Sequence, residues 1–233
     1  MNKDMDMNRG NRGYLYSNIL YNDCNKLDEN WTEEEIKLIF ATLENSTDYL
    51  KTIWGEWMKA RDLCILASLR YMLLRPKEAC CMKFSDLDMK IRRIKIRGVN
   101  NKQKKDRFVQ IPDNFIKYFV YYMSFPKWMW KGSEYLFPSA ENAHISPERW
   151  KMIFREKSLK PAGLYEKPEG KKMPRTRSYL LRQTGATELL DSSNDPWLVA
   201  QILGHSDLRT IKNYFFQTKS FQEKQKFFLN KIK

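Results

Sequence analysis

The stretch of residues 178–215 near the C-terminus constrains the fold more than any other part of the chain. Its apolar spacing predicts three consecutive helices, at about 178–191, 196–203 and 207–215. Pro196 suits the first position of a helix, and Gly204 suits the position just after a helix end. The segment therefore predicts a helical frame in which two short helices follow a longer one.

Polar side chains stand around these two short helices: Arg182, His205 and Tyr214. Taken singly, His205 and Tyr214 have ordinary explanations, since a histidine after a helix end commonly caps it and a helical tyrosine commonly packs in the core. Together they suit the cleavage of a phosphodiester. A guanidinium binds two phosphate oxygens at once and stays charged, and a tyrosine hydroxyl attacks once a neighbour takes its proton.

The charge of the chain favours a polyanionic partner. Lys and Arg number 42 against 28 Asp and Glu, a net charge of +14. We expect nucleic acid rather than a membrane, because no long apolar run and no basic amphipathic helix stands out. A ribosome-associated or merely basic protein is the alternative on charge alone.

The cysteines and the N-terminus bear on the compartment and on metals. None of Cys24, Cys64, Cys80 and Cys81 forms a CxxC pair, and the chain has two histidines, so the sequence argues against a zinc site. No signal peptide is visible in the polar N-terminus. We therefore expect a cytoplasmic, nucleoid-associated protein with reduced cysteines or, if it is viral, one inside the host cell.

The remaining segments predict an α+β domain that is mainly helical. Thr32 and Glu35 form a capping box at the start of the first helix, and Arg75 precedes Pro76 at a junction between two helices. Further helices are predicted at about 57–74, 115–123 and 147–157, strands at 91–98 and 107–112, and a basic connector at 161–177. The two strands flank a basic loop and form a small antiparallel hairpin.

Three motifs resemble those of the tyrosine site-specific recombinases, the phage integrase family. They are LLRPKEACCMKFSDLD (73–88), LFPS (136–139) and LGHSDLRTIKNY (203–214). The resemblance covers roughly residues 31–216 and implies the catalytic-domain fold of that family. It divides the chain into an N-terminal extension (1–30), a catalytic domain (31–216) and a helical tail (217–233) that could dock on a neighbouring protomer.

The resemblance also implies a set of catalytic residues. Arg75, Arg182 and His205 would hold the scissile phosphate, and Tyr214 would attack it to give a 3′-phosphotyrosyl bond. Lys102 in the hairpin matches the lysine that protonates the leaving oxygen. Lys104 is the alternative, because the loop is longer than usual.

One position departs from the family pattern. Tyr179 stands where the family has the first histidine of its His-x-x-Arg motif. A tyrosine donates a hydrogen bond to phosphate but is not a base near neutral pH. The departure puts one proton-handling role in question.

The resemblance implies double-stranded DNA as partner, a tetramer on two DNA sites, and no metal, cofactor or ATP. Two other functions stay open at this point. One is a DNA-binding regulator or accessory factor with a degenerate site, and the other is an enzyme that relaxes supercoiled DNA without site specificity.

Overall fold

The structure is a computed structural model, and it describes residues 30–101, 103–139, 143–165, 178–205, 208–211, 214, 218–221 and 223. The N-terminal extension, most of the 161–177 connector and most of the tail therefore lie outside the described residues. The helices are α1 (Glu33–Glu44), α2 (Ile53–Tyr71), α3 (Pro76–Cys80), α4 (Asp113–Met123), α5 (Pro147–Ile153), α6 (Tyr179–Ser193) and α7 (Pro196–Leu203). The strands are β1 (Leu87–Asp88), β2 (Arg93–Ile96) and β3 (Arg107–Gln110).

Helix α2 forms the centre of the main core. Nearly every side chain from Ala60 to Leu69 is buried, and α1, α4 and α6 pack around it. Such burial on all sides is typical of a helix inside a domain rather than on its surface. The approach of α6 is close, because a Cβ atom added to Gly185 would lie 2.7 Å from the carbonyl oxygen of Arg70.

The capping box predicted for α1 is present. The Thr32 hydroxyl accepts from the Glu35 amide, and the Glu35 carboxylate accepts from the Thr32 amide. The four buried positions of α1 fall on one face, as the apolar spacing predicts.

The sheet is antiparallel with strand order β1-β2-β3. Ile94 pairs with Val109 and Ile96 pairs with Arg107, so these four side chains point to the inner face. The apolar members of that set are buried against the core. The inner face therefore carries one charged residue, Arg107, at the end nearest α7.

A second, smaller core joins α6 and α7. Its buried members are Leu73, Ala186, Leu190, Val199, Ala200, Leu203, Ile211 and Tyr214. The Asp195 carboxylate caps α7, and Gly204 ends it with φ +65°. This small core packs α6 and α7 against Leu73, which follows the end of α2.

The predicted fold class is confirmed, while several boundaries were wrong. Helix α2 begins a turn earlier and ends three residues earlier than predicted, and the helix expected at 147–157 turns into a π-helix at Phe154–Leu159. Within the helix expected at 207–215, Leu208–Ile211 form a 3₁₀ helix and Tyr214 is α-helical, while the other positions lie outside the described residues. Among the described residues, no helix is long and apolar enough to cross a membrane.

Candidate active site

Arg75 lies at a junction between α2 and α3, as its place before Pro76 predicts. Leu73 has a left-handed backbone (φ +54°) just after α2, and Arg75 is extended (φ −75°, ψ 151°) at the cap of α3. The chain turns sharply here, and the carbonyl of Leu73 faces α6. The Arg75 side chain is partly exposed at this turn.

A buried carboxylate, Glu78, links three arginines at this junction. It accepts two hydrogen bonds of 2.8 Å from Arg107 and one of 3.0 Å from Arg75. The nearest Arg182 nitrogen lies 3.5 Å from the same carboxylate. Burial alone would raise the pKa of Glu78, but the hydrogen bonds and charge of Arg107 outweigh it and hold that pKa below its usual value.

Arg182 is fully buried and is held by two helix ends. Its Nη1 donates to the carbonyl of Leu73, and its Nη2 donates to the carbonyl of Leu203 at 2.8 Å. Its buried Nε has no hydrogen-bond partner among the described residues. Burial, and then the charge of Arg75, lowers the pKa of Arg182 to about 10, so the guanidinium is still charged at neutral pH.

His205 follows Gly204 at the end of α7, where its amide donates to the carbonyl of Ala200 at 2.8 Å. Burial lowers the pKa of His205 to about 4, and the charges of Arg182 and Arg75 add to that effect. The imidazole is therefore neutral at physiological pH. A neutral imidazole can donate one hydrogen bond from its protonated ring nitrogen but carries no positive charge.

Tyr214 and Tyr179 form a pair of hydroxyl groups. Their oxygens lie 3.2 Å apart, and the rings of Tyr214 and His205 have centroids 6.3 Å apart. Tyr214 is 5% exposed and Tyr179 is 36% exposed. Burial and then Tyr179 raise the pKa of Tyr214, while the charges of Arg182 and Arg75 lower it.

The hairpin that would carry the lysine is held together at its base. The Gly98 amide donates to the Asp106 carboxylate at 2.7 Å, and the Asn101 side chain donates to the carbonyls of Arg97 and Lys105. Lys104 is exposed on this loop with φ +54°. Lys102 lies outside the described residues, so the choice between these two lysines stays a prediction.

Sequence reasoning did not single out Arg107. Because side chains alternate along a strand, Arg107 points to the same inner side of β3 as Val109. A charged side chain on that side is costly unless it pairs with an opposite charge. That partner is Glu78, and the Arg107 Nε also donates to the carbonyl of Ile202 at 3.3 Å. A charged residue in register with buried apolar positions was the signal available in the sequence.

The arrangement is suited to binding an anion. Three guanidiniums (Arg75, Arg107 and Arg182) surround one carboxylate, so the cluster carries three positive charges against one negative charge, a net +2. A buried cationic cluster with an unused Nε–H attracts a group that carries negative charge and accepting oxygens. Within the described residues, no group of three or more His, Cys, Asp or Glu side chains is placed to hold a metal ion.

The fold and the site define a mainly helical α+β domain with a small sheet, in which arginines, a histidine and a tyrosine lie close to one buried carboxylate. The family model described as "Phage integrase family" matches residues 29–220. The chain belongs to the phage integrase family.

Named relatives agree with this membership. The chain is 30% identical to the tyrosine recombinase XerC of Chlamydia pneumoniae over 156 residues, which make up 66% of this chain and 46% of that protein. It resembles the crystal structure of XerA recombinase with a TM-score of 0.63 and 24% identity, covering 85% of this chain and 64% of that one. A structure of XerH site-specific recombinase bound to palindromic difH substrate has a TM-score of 0.64 and 20% identity, covering 86% and 53%. The chain thus spans about half to two thirds of the length of these proteins.

Proposed function

We propose that the chain is a site-specific DNA recombinase that cuts and rejoins DNA with Tyr214 as the nucleophile. The observation that carries this proposal is the position of Tyr214. Its ring centroid lies 6.3 Å from that of His205, and although burial raises the pKa of Tyr214, the charges of Arg182 and Arg75 act in the opposite direction and favour the phenolate. The XerC and XerA relatives, which are named tyrosine recombinases, support the same activity.

The phosphate would be held by the arginine cluster. Arg75 and Arg182 bind its non-bridging oxygens, and neutral His205 donates a further hydrogen bond. The transition state carries more negative charge on these oxygens than the ground state, so fixed cations stabilise it selectively. Glu78 keeps the cluster in place, because it binds Arg75 and Arg107 at once.

The chemistry is a transfer of the phosphoryl group between oxygens. The Tyr214 oxygen bonds to phosphorus, the bond from phosphorus to the 5′ oxygen breaks, and Lys102 or Lys104 protonates that oxygen. The product is a 3′-phosphotyrosyl bond and a free 5′ hydroxyl. A second strand's hydroxyl then reverses the step. The bond energy is conserved throughout, so the reaction consumes no ATP and draws its positive charge from side chains rather than from a metal.

The partner would be double-stranded DNA, engaged by four protomers on two sites. The net charge of +14 supports a polyanionic partner. In the tail, the described residue Ser220 donates from its hydroxyl to Asp191 on α6 of the same chain at 2.6 Å. Docking of the rest of the tail on a neighbour is part of the proposal and concerns residues outside the described ones.

The test is covalent trapping in the presence of a metal chelator. Nicked duplexes tiled across the DNA that flanks the gene are incubated with the protein and separated on denaturing gels. We expect an adduct with the wild-type chain and none with Tyr214→Phe, which should still bind DNA. Salt-sensitive binding by the wild-type chain without any adduct would instead support the DNA-binding regulator. The family match and the gathering of Arg75, Arg182 and Tyr214 in one region favour the enzyme.

A further inference from the structure

Tyr214 must lose a proton from a buried position. The residue is 5% exposed, yet its hydroxyl has to give up its proton as the oxygen bonds to phosphorus. Burial raises the pKa of Tyr214, so the phenol holds its proton firmly near neutral pH. A neighbouring group has to accept that proton.

Titratable groups from three parts of the described chain lie close to Tyr214. Arg182 and Tyr179 come from α6, Arg75 from the α2–α3 junction, and His205 from the end of α7. The two arginines are charged and accept no proton. The pKa of His205 is lowered to about 4, which makes its imidazole a much weaker base than a free histidine.

Tyr179 has the geometry of a link between the buried phenol and water. Its hydroxyl oxygen lies 3.2 Å from that of Tyr214, within hydrogen-bond reach. It is 36% exposed, against 5% for its partner. The pair therefore joins a buried residue to a partly exposed one through one hydrogen bond.

We propose that Tyr179 relays the phenolic proton of Tyr214 to solvent, an inference that rests on the proposed function. As the Tyr214 oxygen bonds to phosphorus, its proton passes to the Tyr179 oxygen, and the proton of Tyr179 passes to water or hydroxide. The bond from phosphorus to the 5′ oxygen breaks, and that oxygen takes its proton from the hairpin lysine. On rejoining, every transfer runs in reverse.

A relay needs no group that titrates near neutral pH. Tyr179 starts and ends each cycle protonated, so it acts without being a base in the resting protein. Arg182 lies close to both phenols, and its charge stabilises the negative charge that passes between them. The tyrosine thereby fills the proton-handling position with different chemistry from an imidazole.

The experiment measures single-turnover adduct formation between pH 5.5 and 8. The substrate is the nicked duplex on which the wild-type protein forms its adduct. The variants are Tyr179→Phe, which removes the relay oxygen, and Tyr179→His, which supplies an imidazole, a stronger base than a phenol. Tyr121→Phe is the matched control, because Tyr121 is as exposed as Tyr179 and its hydroxyl contacts Glu56 on α2.

We expect Tyr179→Phe to slow adduct formation by about 100-fold, in the range typical of lost proton transfer, with DNA affinity unchanged. Tyr179→His should recover activity, because an imidazole accepts the proton directly, and its rate should rise with pH as that imidazole loses its proton, below about 6.5 because the charge of Arg182 is close. Tyr121→Phe should match the wild type. A Tyr179→Phe rate equal to that of the wild type, or a Tyr179→His rate no higher than that of Tyr179→Phe, overturns the relay.

The two proposals fail in different ways. Absence of any adduct with the wild-type chain contradicts the recombinase activity itself. An adduct on Tyr214 that forms at full rate without the Tyr179 hydroxyl leaves the recombinase standing and contradicts only the relay.

Discussion

Glu78 and Arg107 form a bidentate ion pair, with two hydrogen bonds of 2.8 Å, between a five-residue helix and the last strand of the sheet. The carboxylate is completely buried, and it also binds Arg75. Two parallel hydrogen bonds fix orientation as well as distance. The position of the candidate phosphate-binding arginines therefore depends on a strand that lies outside the three motifs quoted above.

Replacing Glu78 with Gln should destabilise the fold. The change leaves Arg107, whose side chain is 12% exposed, without its counter-charge. Breaking one side of a buried ion pair costs about 3 kcal/mol or more in the free energy of unfolding. Urea denaturation measures that loss. Glu33→Gln is the control, since its ion pair with Lys37 is exposed and should contribute nothing measurable. Equal stability of the two variants would contradict the central role of Glu78.

His205 should make the fold sensitive to mild acid. Its pKa is lowered to about 4 from an ordinary 6.5, so the unfolded chain binds the proton more tightly than the folded one. Stability should therefore fall as the pH is lowered from 6.5 toward 4, by about 1 to 2 kcal/mol once its partial exposure is taken into account.

The His205 prediction has a direct check. The chain has two histidines, so the ring signals in an NMR titration are assigned by comparing His205→Gln with His144→Gln. The signal of His205 should titrate near pH 4, and His205→Gln should flatten the stability profile between pH 4 and 6.5. A His205 signal that titrates near 6.5 would contradict the effect of both burial and the arginine charges on the ring.

Gly204 should tolerate no side chain. It has φ +65°, and a Cβ atom there would lie 2.8 Å from Cδ of Arg107. Gly132 has φ +72°, and a Cβ atom added to it would have no neighbour within 4 Å. Gly132→Ala is therefore a control for backbone strain alone. Strain alone costs about 1 kcal/mol. We expect Gly204→Ala to lose more than that in thermal unfolding, because it also displaces Arg107. Equal losses would mean that Arg107 moves aside freely.

A change in the leaving group distinguishes which of the two hairpin lysines, Lys102 or Lys104, protonates the 5′ oxygen. A substrate with sulfur in place of the bridging 5′ oxygen leaves as a thiolate and needs no proton. Lys102→Ala should slow cleavage of the oxygen substrate by about 100-fold or more. On the sulfur substrate, the cleavage rate of this variant should return to that of the wild type. Lys104→Ala should change the cleavage rate little with either substrate. The reverse pattern would assign the role to Lys104.

The sequence predicted the parts of the fold that local signals define. The capping box at Thr32, the junction at Arg75 and the turn at Gly204 each follow from the preferences of single residues, and all three are present. Strand β1 was missed because two residues are too few to alternate. The π-helix at Phe154–Leu159 was missed because, over six residues, its apolar spacing is the same as that of an α-helix.

The candidate site was predictable only in part. The motifs that resemble the family pointed to Arg75, Arg182, His205 and Tyr214, which lie together at the ends of α2, α6 and α7. The contact between Tyr179 and Tyr214 joins residues 35 positions apart, and the pair of Glu78 with Arg107 joins residues 29 apart. Such contacts depend on tertiary packing, which the local pattern does not encode.

Mapping the residue that carries the DNA tests the central claim most directly. The trapped adduct is digested with nuclease and trypsin, and the peptide that bears a nucleotide is identified by mass spectrometry. Trypsin separates the two candidate phenols, since Tyr214 falls in NYFFQTK (213–219) and Tyr179 in SYLLR (178–182). We predict the nucleotide on NYFFQTK, joined through Tyr214. A nucleotide on SYLLR or on any other peptide would contradict the assignment of the nucleophile.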